Sequence, residues 1–433
     1  MSARPRAARE PEALLDSVGS SQARVANGEM RMVRSRLLSG SSAGAGYSCV
    51  DFGHSQRMSF MLVPRNRGSF EEQLAEVLDS QKQLLRAQPG SLRVTSQTVF
   101  MRDAVHWDDC RRLLSEHYGN ELPATNLVLQ APCCGAALAL EAWAIGGQGV
   151  NVEYCSAHTV RVEHEQARWT YCAGIESSLG GGAYEQTREV LGKMGAELQR
   201  AGSGFDQIVR TWLYLGGITE PEAGSQRYKE LNRARSEFYR EIQFHCSPSQ
   251  PNIPQGIYPA STGIGMAGTG LVAGCLALHT ARQDAFLVAL ENPQQTPAYA
   301  YHPRFSPQSP KFSRAVALIL GKHVTTWLSG TASVVHSLSR HPGDIRKQTE
   351  QTIENMEKLI SAENFGFHGV KPAGARLSDL AKIRVYLKRA EDFAQCKAIC
   401  DRRFGSVPAI YAVAEVCRPE LLVEIEGVAF SRR

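Results

Sequence analysis

The sequence predicts an α/β (α+β) protein made of three related units in one chain. Three observations carry this. Amphipathic helices are expected at 70–87, 185–202 and 343–362, with apolar residues at three- and four-residue spacing, as in Ile353, Met356, Leu359 and Ile360. Each is followed by a segment rich in β-branched and aromatic residues: 92–101, 208–215 and 380–387. A Pro-Ala pair then introduces another strand: Pro123-Ala124, Pro259-Ala260 and Pro408-Ala409.

The spacing supports a repeat. From Phe100 to Pro123 is 23 residues and from Tyr386 to Pro408 is 22, whereas Tyr214 to Pro259 is 45. The second unit therefore carries an insertion, much of it expected in 245–257, with Pro248, Pro251 and Pro254. The units are placed at 46–148, 149–292 and 293–433, after a flexible tail at 1–45 rich in Ala, Ser, Arg and Gly. Repeats this long indicate a triplicated domain, not a solenoid, whose periods run from about 20 to 50 residues.

Composition narrows the function classes. The chain has 433 residues, 43% hydrophobic and 21% charged, with a net charge of +5. The densest basic run, Arg4, Arg6 and Arg9, does not make a nucleic-acid footprint. No apolar run is long enough to span a membrane, and the first residues lack the apolar stretch of a signal peptide. The 11 cysteines include no metal-ligand spacing and point to free thiols in a reducing cytoplasm. Gly180, Gly181 and Gly182 read as a loop, because no Gly-Lys-Ser/Thr follows them. No metal or organic cofactor is expected, and the expected partner is a small anionic molecule.

Several blocks carry a resemblance. Asn292-Pro293, Tyr299-Ala300-Tyr301-His302-Pro303, Ser309-Pro310 and Phe312-Ser313-Arg314-Ala315 resemble the inter-domain signature of the chorismatase family. Gly330-Thr331-Ala332-Ser333, His341-Pro342-Gly343-Asp344, Cys417-Arg418 and Leu422-Val423-Glu424-Ile425-Glu426 resemble its other blocks. The resemblance covers about residues 150–433. It implies a YjgF-like (Rid) fold for each unit, three units closing into an intrachain pseudo-trimer, and sites in the clefts between units. Chorismatases are usually two-unit chains, so the first unit is extra; it would complete the pseudo-trimer, and the protein is expected to be a monomer or a dimer. The family's Gly-His after the Gly-Thr-Ala-Ser block appears here as His336-Ser337.

The implied activity is cleavage of the enolpyruvyl ether of chorismate to pyruvate and 3-hydroxybenzoate. Protonating the enol methylene requires a carboxylic acid that is still neutral near pH 7, whereas a free Glu titrates near about 4.3. Glu424 lies in an apolar strand, and alternation puts Glu426 on the same face, so burial and a second carboxylate would both raise it. The corresponding strand of the first unit has Ala139 and Glu141, and that of the second has no carboxylate, which predicts a single active cleft. The resemblance makes Glu424 the catalytic acid, with Cys417 and Gly330 at the positions that set the ring product. Arg314, Tyr301, Arg235 (with Arg233 as fallback) and Glu426 are expected to bind substrate, the arginines through the planar fork that suits carboxylates. Two other readings are open: an imine/enamine deaminase of the Rid type, or a non-catalytic binding protein of this fold. The deaminases use an arginine directly after the Pro-Ala pair, where this chain has Thr125, Ser261 and Ile410.

Overall fold

The computed structural model describes residues 30–36, 44–245, 256–302 and 308–433. Pro248, Pro251 and Pro254 of the expected insertion, and Pro303 of the inter-domain block, lie outside these.

The three long helices run over Phe70–Arg86, Ala183–Arg200 and Ile345–Ile360. Local chemistry sets two of their starts. Ser69 accepts from the Glu72 amide while the Glu72 carboxylate accepts from the Ser69 amide, and Asp344 accepts from the Lys347 amide at 3.0 Å.

Each unit holds one six-stranded sheet, and all three sheets have the same strand order. The first runs Arg31–Arg36, Ala45–Asp51, Ser55–Leu62, Leu138–Gly147, Arg93–Met101, Ala124–Val128. The second runs Asn151–Tyr154, Thr159–His164, Ala167–Glu176, Leu271–Thr280, Ile208–Gly216, Ala260–Met266. The third runs Ala285–Leu290, Ala315–Leu320, His323–Ala332, Val423–Arg432, Leu380–Leu387, Ala409–Val413. Two boundaries move as a result. Arg31–Arg36 pairs with Ala45–Asp51 inside the stretch expected to be a tail, and Ala285–Leu290 pairs with Ala315–Leu320, so the third sheet opens before residue 293. The cause is the same in both. A hairpin strand that opens a sheet is specified by its partner, and its own short pattern carries little periodicity.

The sheets lie inside and the helices outside. Val190, Leu191 and Met194 pack with Leu213 and Leu215 on the outer face of the second sheet, and Ile353 and Met356 with Ile383 and Val385 on that of the third. The inner faces meet in one core, to which Ile145, Trp169, Val209, Leu276, Trp327, Val428 and Phe430 all contribute. Strands covered on both sides are continuously buried, as all eight residues of Leu380–Leu387 are. Beyond the Pro-Ala strands, main-chain bonds tie the units together: Val413 N to Ala131 O, Ala267 N to Leu129 O and Gly265 N to Glu415 O, each 2.8 Å. This is the arrangement an intrachain pseudo-trimer requires.

A bulge recurs where each middle strand pairs with the last strand of its unit, between Val94 and Ser96, Ile208 and Arg210, and Leu380 and Lys382. Past the bulge, Thr98, Trp212 and Arg384 face Glu141, Gly274 and Glu426, and two residues on Phe100, Tyr214 and Tyr386 face Ala139, Val272 and Glu424. Bulges re-aim side chains, and these turn charge inward. Lys382 and Arg384 of the third unit hold Glu141 of the first. Arg210 of the second unit holds Glu426 of the third at 2.7 Å, Trp212 Nε1 donates to it at 3.0 Å, and Thr262 donates to it as well. Arg384 reaches Glu426 at 3.3 Å and bonds the Tyr214 hydroxyl at 2.6 Å. At the third junction Gly274 removes the carboxylate; a Cβ there would come within 3.0 Å of the Asn126 side chain.

Burying a charge is costly unless it is paired, and removing one partner of such a pair costs about 3–5 kcal/mol. Arg210→Met should therefore destabilise the chain by about that amount in denaturant titrations. Arg210→Met combined with Glu426→Met should recover much of the loss, because no charge is then left unpaired.

Candidate active site

Glu424 sits on the last strand, directly opposite Tyr386 on one side and Ala332 on the other. It is 4% exposed, between Val423 and Ile425, which are fully buried. Its environment differs from that of Glu426 two residues on. Burial pushes Glu426 up, but Arg210, Arg384 and Lys382 outweigh it and hold it below the ordinary carboxylate range. Burial and the Glu426 charge together push Glu424 up to about 8, against weaker pulls from Arg210 and Arg314. Among the described residues none donates a hydrogen bond or an ion pair to Glu424. The alternation that set the two glutamates side by side thus gives one ionised carboxylate and one neutral acid.

Glu424 lines a cleft of about 840 Å³, including its open mouth, between the second and third units. The second unit supplies the helix Arg227–Tyr239 and the strand Ala260–Met266; the third supplies residues within 295–301, 310–314 and 330–334 and the turn 417–421. Arg235 is 1% exposed and donates from Nη2 to Asn232 Oδ1 at 2.5 Å and from Nη1 to Ser261 Oγ at 3.3 Å. Arg314, 6% exposed, donates from Nη2 to the Tyr301 hydroxyl at 2.8 Å and to Thr296 O at 3.0 Å. The Nε atoms of both arginines are buried without a partner. Two buried cations with spare donors and no carboxylate partner among the described residues make this wall suited to an anion.

The expected site residues therefore separate. Glu424, Cys417, Arg314, Tyr301, Arg235 and Gly330 come together around this cleft. Arg233, the fallback for Arg235, pairs with Glu230 at 2.6 Å and stacks on Tyr184 instead. Glu426 is corrected as well: it does not line the cleft, because Arg210, Arg384, Trp212 and Thr262 engage it. Its influence on the site is electrostatic. Cys417 is pushed up to about 12, first by burial and then by the Glu424 charge, so its thiol is neutral and polar at ordinary pH.

The His336-Ser337 pair forms the loop between Val334–Val335 and Leu338–Ser339, and neither residue lines the cleft. His336 adopts φ 54°, which explains why a glycine suits this place. Its backbone bonds Gln294 O at 2.7 Å and Thr296 N at 3.0 Å, bracing the segment that carries Gln295. Sequence reasoning did not single out Tyr228, Gln295, Phe312, Lys229 or Arg418, all of which line the cleft. Tyr228 and Lys229 had no available signal, being single residues at the start of a helix. Arg418 and Phe312 lay within the quoted blocks, unassigned, and Gln295 between two of them.

Glu71, His106 and Asp109 approach within 4.8 Å of one another on the first unit, outside this cleft. The ten described cysteines are free thiols, with the Cys396 and Cys400 sulfurs 3.9 Å apart. No helix among the described residues is long and apolar enough to cross a membrane.

Comparison with known proteins identifies this arrangement. The family model described as "Chorismatase FkbO/Hyg5-like, N-terminal" matches residues 141–277, and that described as "Endoribonuclease L-PSP" matches 307–431. A chorismatase of Streptomyces hygroscopicus is 30% identical over 260 residues, covering 60% of this chain and 71% of that protein. The chain belongs to the chorismatase family. A 3-hydroxybenzoate synthase of Streptomyces hygroscopicus is 36% identical over 231 residues, 52% of this chain and 64% of the relative's length. A crystal structure of a chorismatase shares the fold, with a TM-score of 0.61 at 23% identity, covering 78% of this chain and 93% of that one. The first of these models begins at residue 141, inside the strand Leu138–Gly147, so most of the first sheet lies outside both family matches.

In this chorismatase-family cleft a Cβ on Gly330 would fall 1.9 Å from Glu424 Oε1. The obstructed atom is the end of a flexible side chain, so Gly330→Ala should leave the melting temperature nearly unchanged while turning the carboxyl away. A misplacement of about 1 Å costs about 100-fold in rate, and the turnover number of the variant should show it.

Proposed function

We propose that the chain cleaves chorismate to pyruvate and 3-hydroxybenzoate, with Glu424 as the proton donor. The observation that carries the proposal is a carboxylic acid held up to about 8 by burial, in a cleft that also presents Arg235 and Arg314. A substrate with two carboxylates has an anionic end for each arginine. The neutral Glu424 carboxyl protonates the enolpyruvyl methylene carbon to an oxocarbenium ion, and the ether bond to ring carbon 3 breaks, so pyruvate leaves with the ether oxygen. The neighbouring C4 hydroxyl oxygen loses its proton and bonds to C3; opening of its bond to C4 with loss of the C3 hydrogen as a proton makes the ring aromatic with its hydroxyl at C3. Pyruvate and 3-hydroxybenzoate together contain all the atoms of chorismate, so the overall reaction consumes no water. The alternative dihydroxy acid would require one. Cys417 and Gly330 are the positions proposed to steer the ring product; a thiol that stays protonated does not attack the cation as a thiolate would. The Pro-Ala strands carry Thr125, Ser261 and Ile410 where a deaminase would need arginine.

Purified protein incubated with chorismate should release pyruvate and 3-hydroxybenzoate in equal amounts, read by a coupled assay and chromatography. A dihydroxy acid in place of 3-hydroxybenzoate would reject the role given to Cys417 and Gly330 while keeping the acid. Glu424→Gln should lower turnover by about 100- to 10 000-fold, the usual contribution of a general acid. Because the protonated form is the active one, kcat/KM should fall as pH rises through about 8. A profile that stays flat to pH 10 would assign the proton to another group.

A further inference from the structure

The pseudo-symmetry that builds the proposed active cleft builds a counterpart between the first and second units, and the structure keeps it open. This second cleft has about 1420 Å³, including its mouth. The equivalence can be followed bond by bond. In the active cleft Ser329 N donates to Arg314 O at 2.9 Å; in the counterpart Ala173 N donates to His158 O, also at 2.9 Å. His158 therefore stands where Arg314 stands, and Gly174 where Gly330 stands. Thr125 follows its Pro-Ala pair as Ser261 follows its own. Leu114 precedes the helix-terminal Tyr118 by four residues, as Arg235 precedes Tyr239. Val272 faces Tyr214 as Glu424 faces Tyr386.

These replacements change the ligand chemistry in a definite direction. The acid becomes Val272, so no proton donor remains at that place. Two buried arginines become Leu114 and His158, so a molecule with two carboxylates loses both anchors. The floor is now apolar, formed by Leu114, Leu122, Leu127 and Ile175. Three cations line it, Arg111, Lys193 and Arg200, beside the carboxylates of Glu176 and Glu197. Lys193 is paired with Glu189 at 2.6 Å and Arg200 with Glu197, whereas Arg111 meets Glu176 through a single contact of 2.6 Å, and both of those side chains are partly exposed. An exposed pair of this kind contributes little by itself and leaves the other guanidinium donors available. His158 Nδ1 lies 3.0 Å from Ala173 O, and since a carbonyl can only accept, Nδ1 carries the proton. With Nδ1 as the donor, the tautomer that leaves Nε2 as an acceptor suits a hydroxyl.

We propose that the cleft between the first and second units is a non-catalytic binding site for a hydroxylated aromatic monocarboxylate. Arg111 takes the carboxylate, His158 Nε2 takes the hydroxyl, and the leucines take the ring face. The class includes the ring product of the reaction proposed above, so the first unit would give the protein a site that senses product. The choice of that ligand rests on the proposed function; the cleft and its residues do not.

The test is calorimetric titration with 3-hydroxybenzoate of the full chain and of two variants outside the catalytic cleft. Arg111→Ala removes the cation, and Ala196→Trp fills the cleft from an exposed helix position that lines it. Binding by the wild type that weakens about tenfold in Arg111→Ala and disappears in Ala196→Trp, with initial rates on chorismate unchanged, is expected. Binding that both variants retain, and that Arg314→Ala abolishes, would place the ligand in the catalytic cleft and overturn the proposal. If chorismate is not turned over at all, the function falls, while Arg111-dependent binding of the probe still decides the cleft.

Discussion

The distribution of charge along the inner faces of the three sheets governs both the assembly and the site. Two glutamates at equivalent positions, Glu141 and Glu426, are each held by basic side chains of a neighbouring unit. Burying these ions would be prohibitive without their partners, so each pair requires two units to be docked before it is stable. The same set of cations then determines what happens to Glu424. Arg210 is committed to Glu426 and Arg384 is shared between Glu141 and Glu426, whose negative charge remains beside Glu424. A buried carboxyl with no cation of its own and an anion close by stays protonated. The neutral carboxyl is thus a by-product of the way the units are joined.

Three copies of one sheet would give three equivalent clefts, and function depends on how the copies have diverged. Glu424 corresponds to Ala139 and Val272, and Arg314 to His158. The position after the bulge reads Ser96, Arg210 and Lys382, so one junction lacks a cation where its facing position, Gly274, lacks a carboxylate. Loss on both sides of that junction leaves no unpaired charge, which is why the asymmetry is tolerated. The first unit supplies Glu141, which Lys382 and Arg384 of the third unit hold.

Much of this was legible in the sequence. The helices and the strands that follow them were visible because amphipathic spacing and β-branched runs are local signals, and the Pro-Ala pairs fixed the repeat. The opening strands at Arg31–Arg36 and Ala285–Leu290 were not, because pairing specifies them more than their own residues do. At the site, Glu424, Arg314, Tyr301, Gly330 and Cys417 lay in blocks that carry a resemblance, Arg235 lay outside those blocks, and all six line one cleft. The role expected of Glu426 was wrong for a physical reason. Alternation shows that two side chains share a face, but not that the bulged strand of the next unit has already brought Arg210 to one of them. Tyr228 and Lys229 were invisible because a helix start has no pattern that marks a pocket.

The central claim is that Glu424 is neutral at pH 7 because the nearby cations are engaged elsewhere. Infrared difference spectroscopy between the wild-type protein and Glu424→Gln, followed over a pH series, tests it most directly. The account predicts a protonated carboxyl band at pH 7 that converts to carboxylate near pH 8, and that moves when Arg210 is replaced. A carboxylate band for Glu424 already present at pH 5 would contradict it.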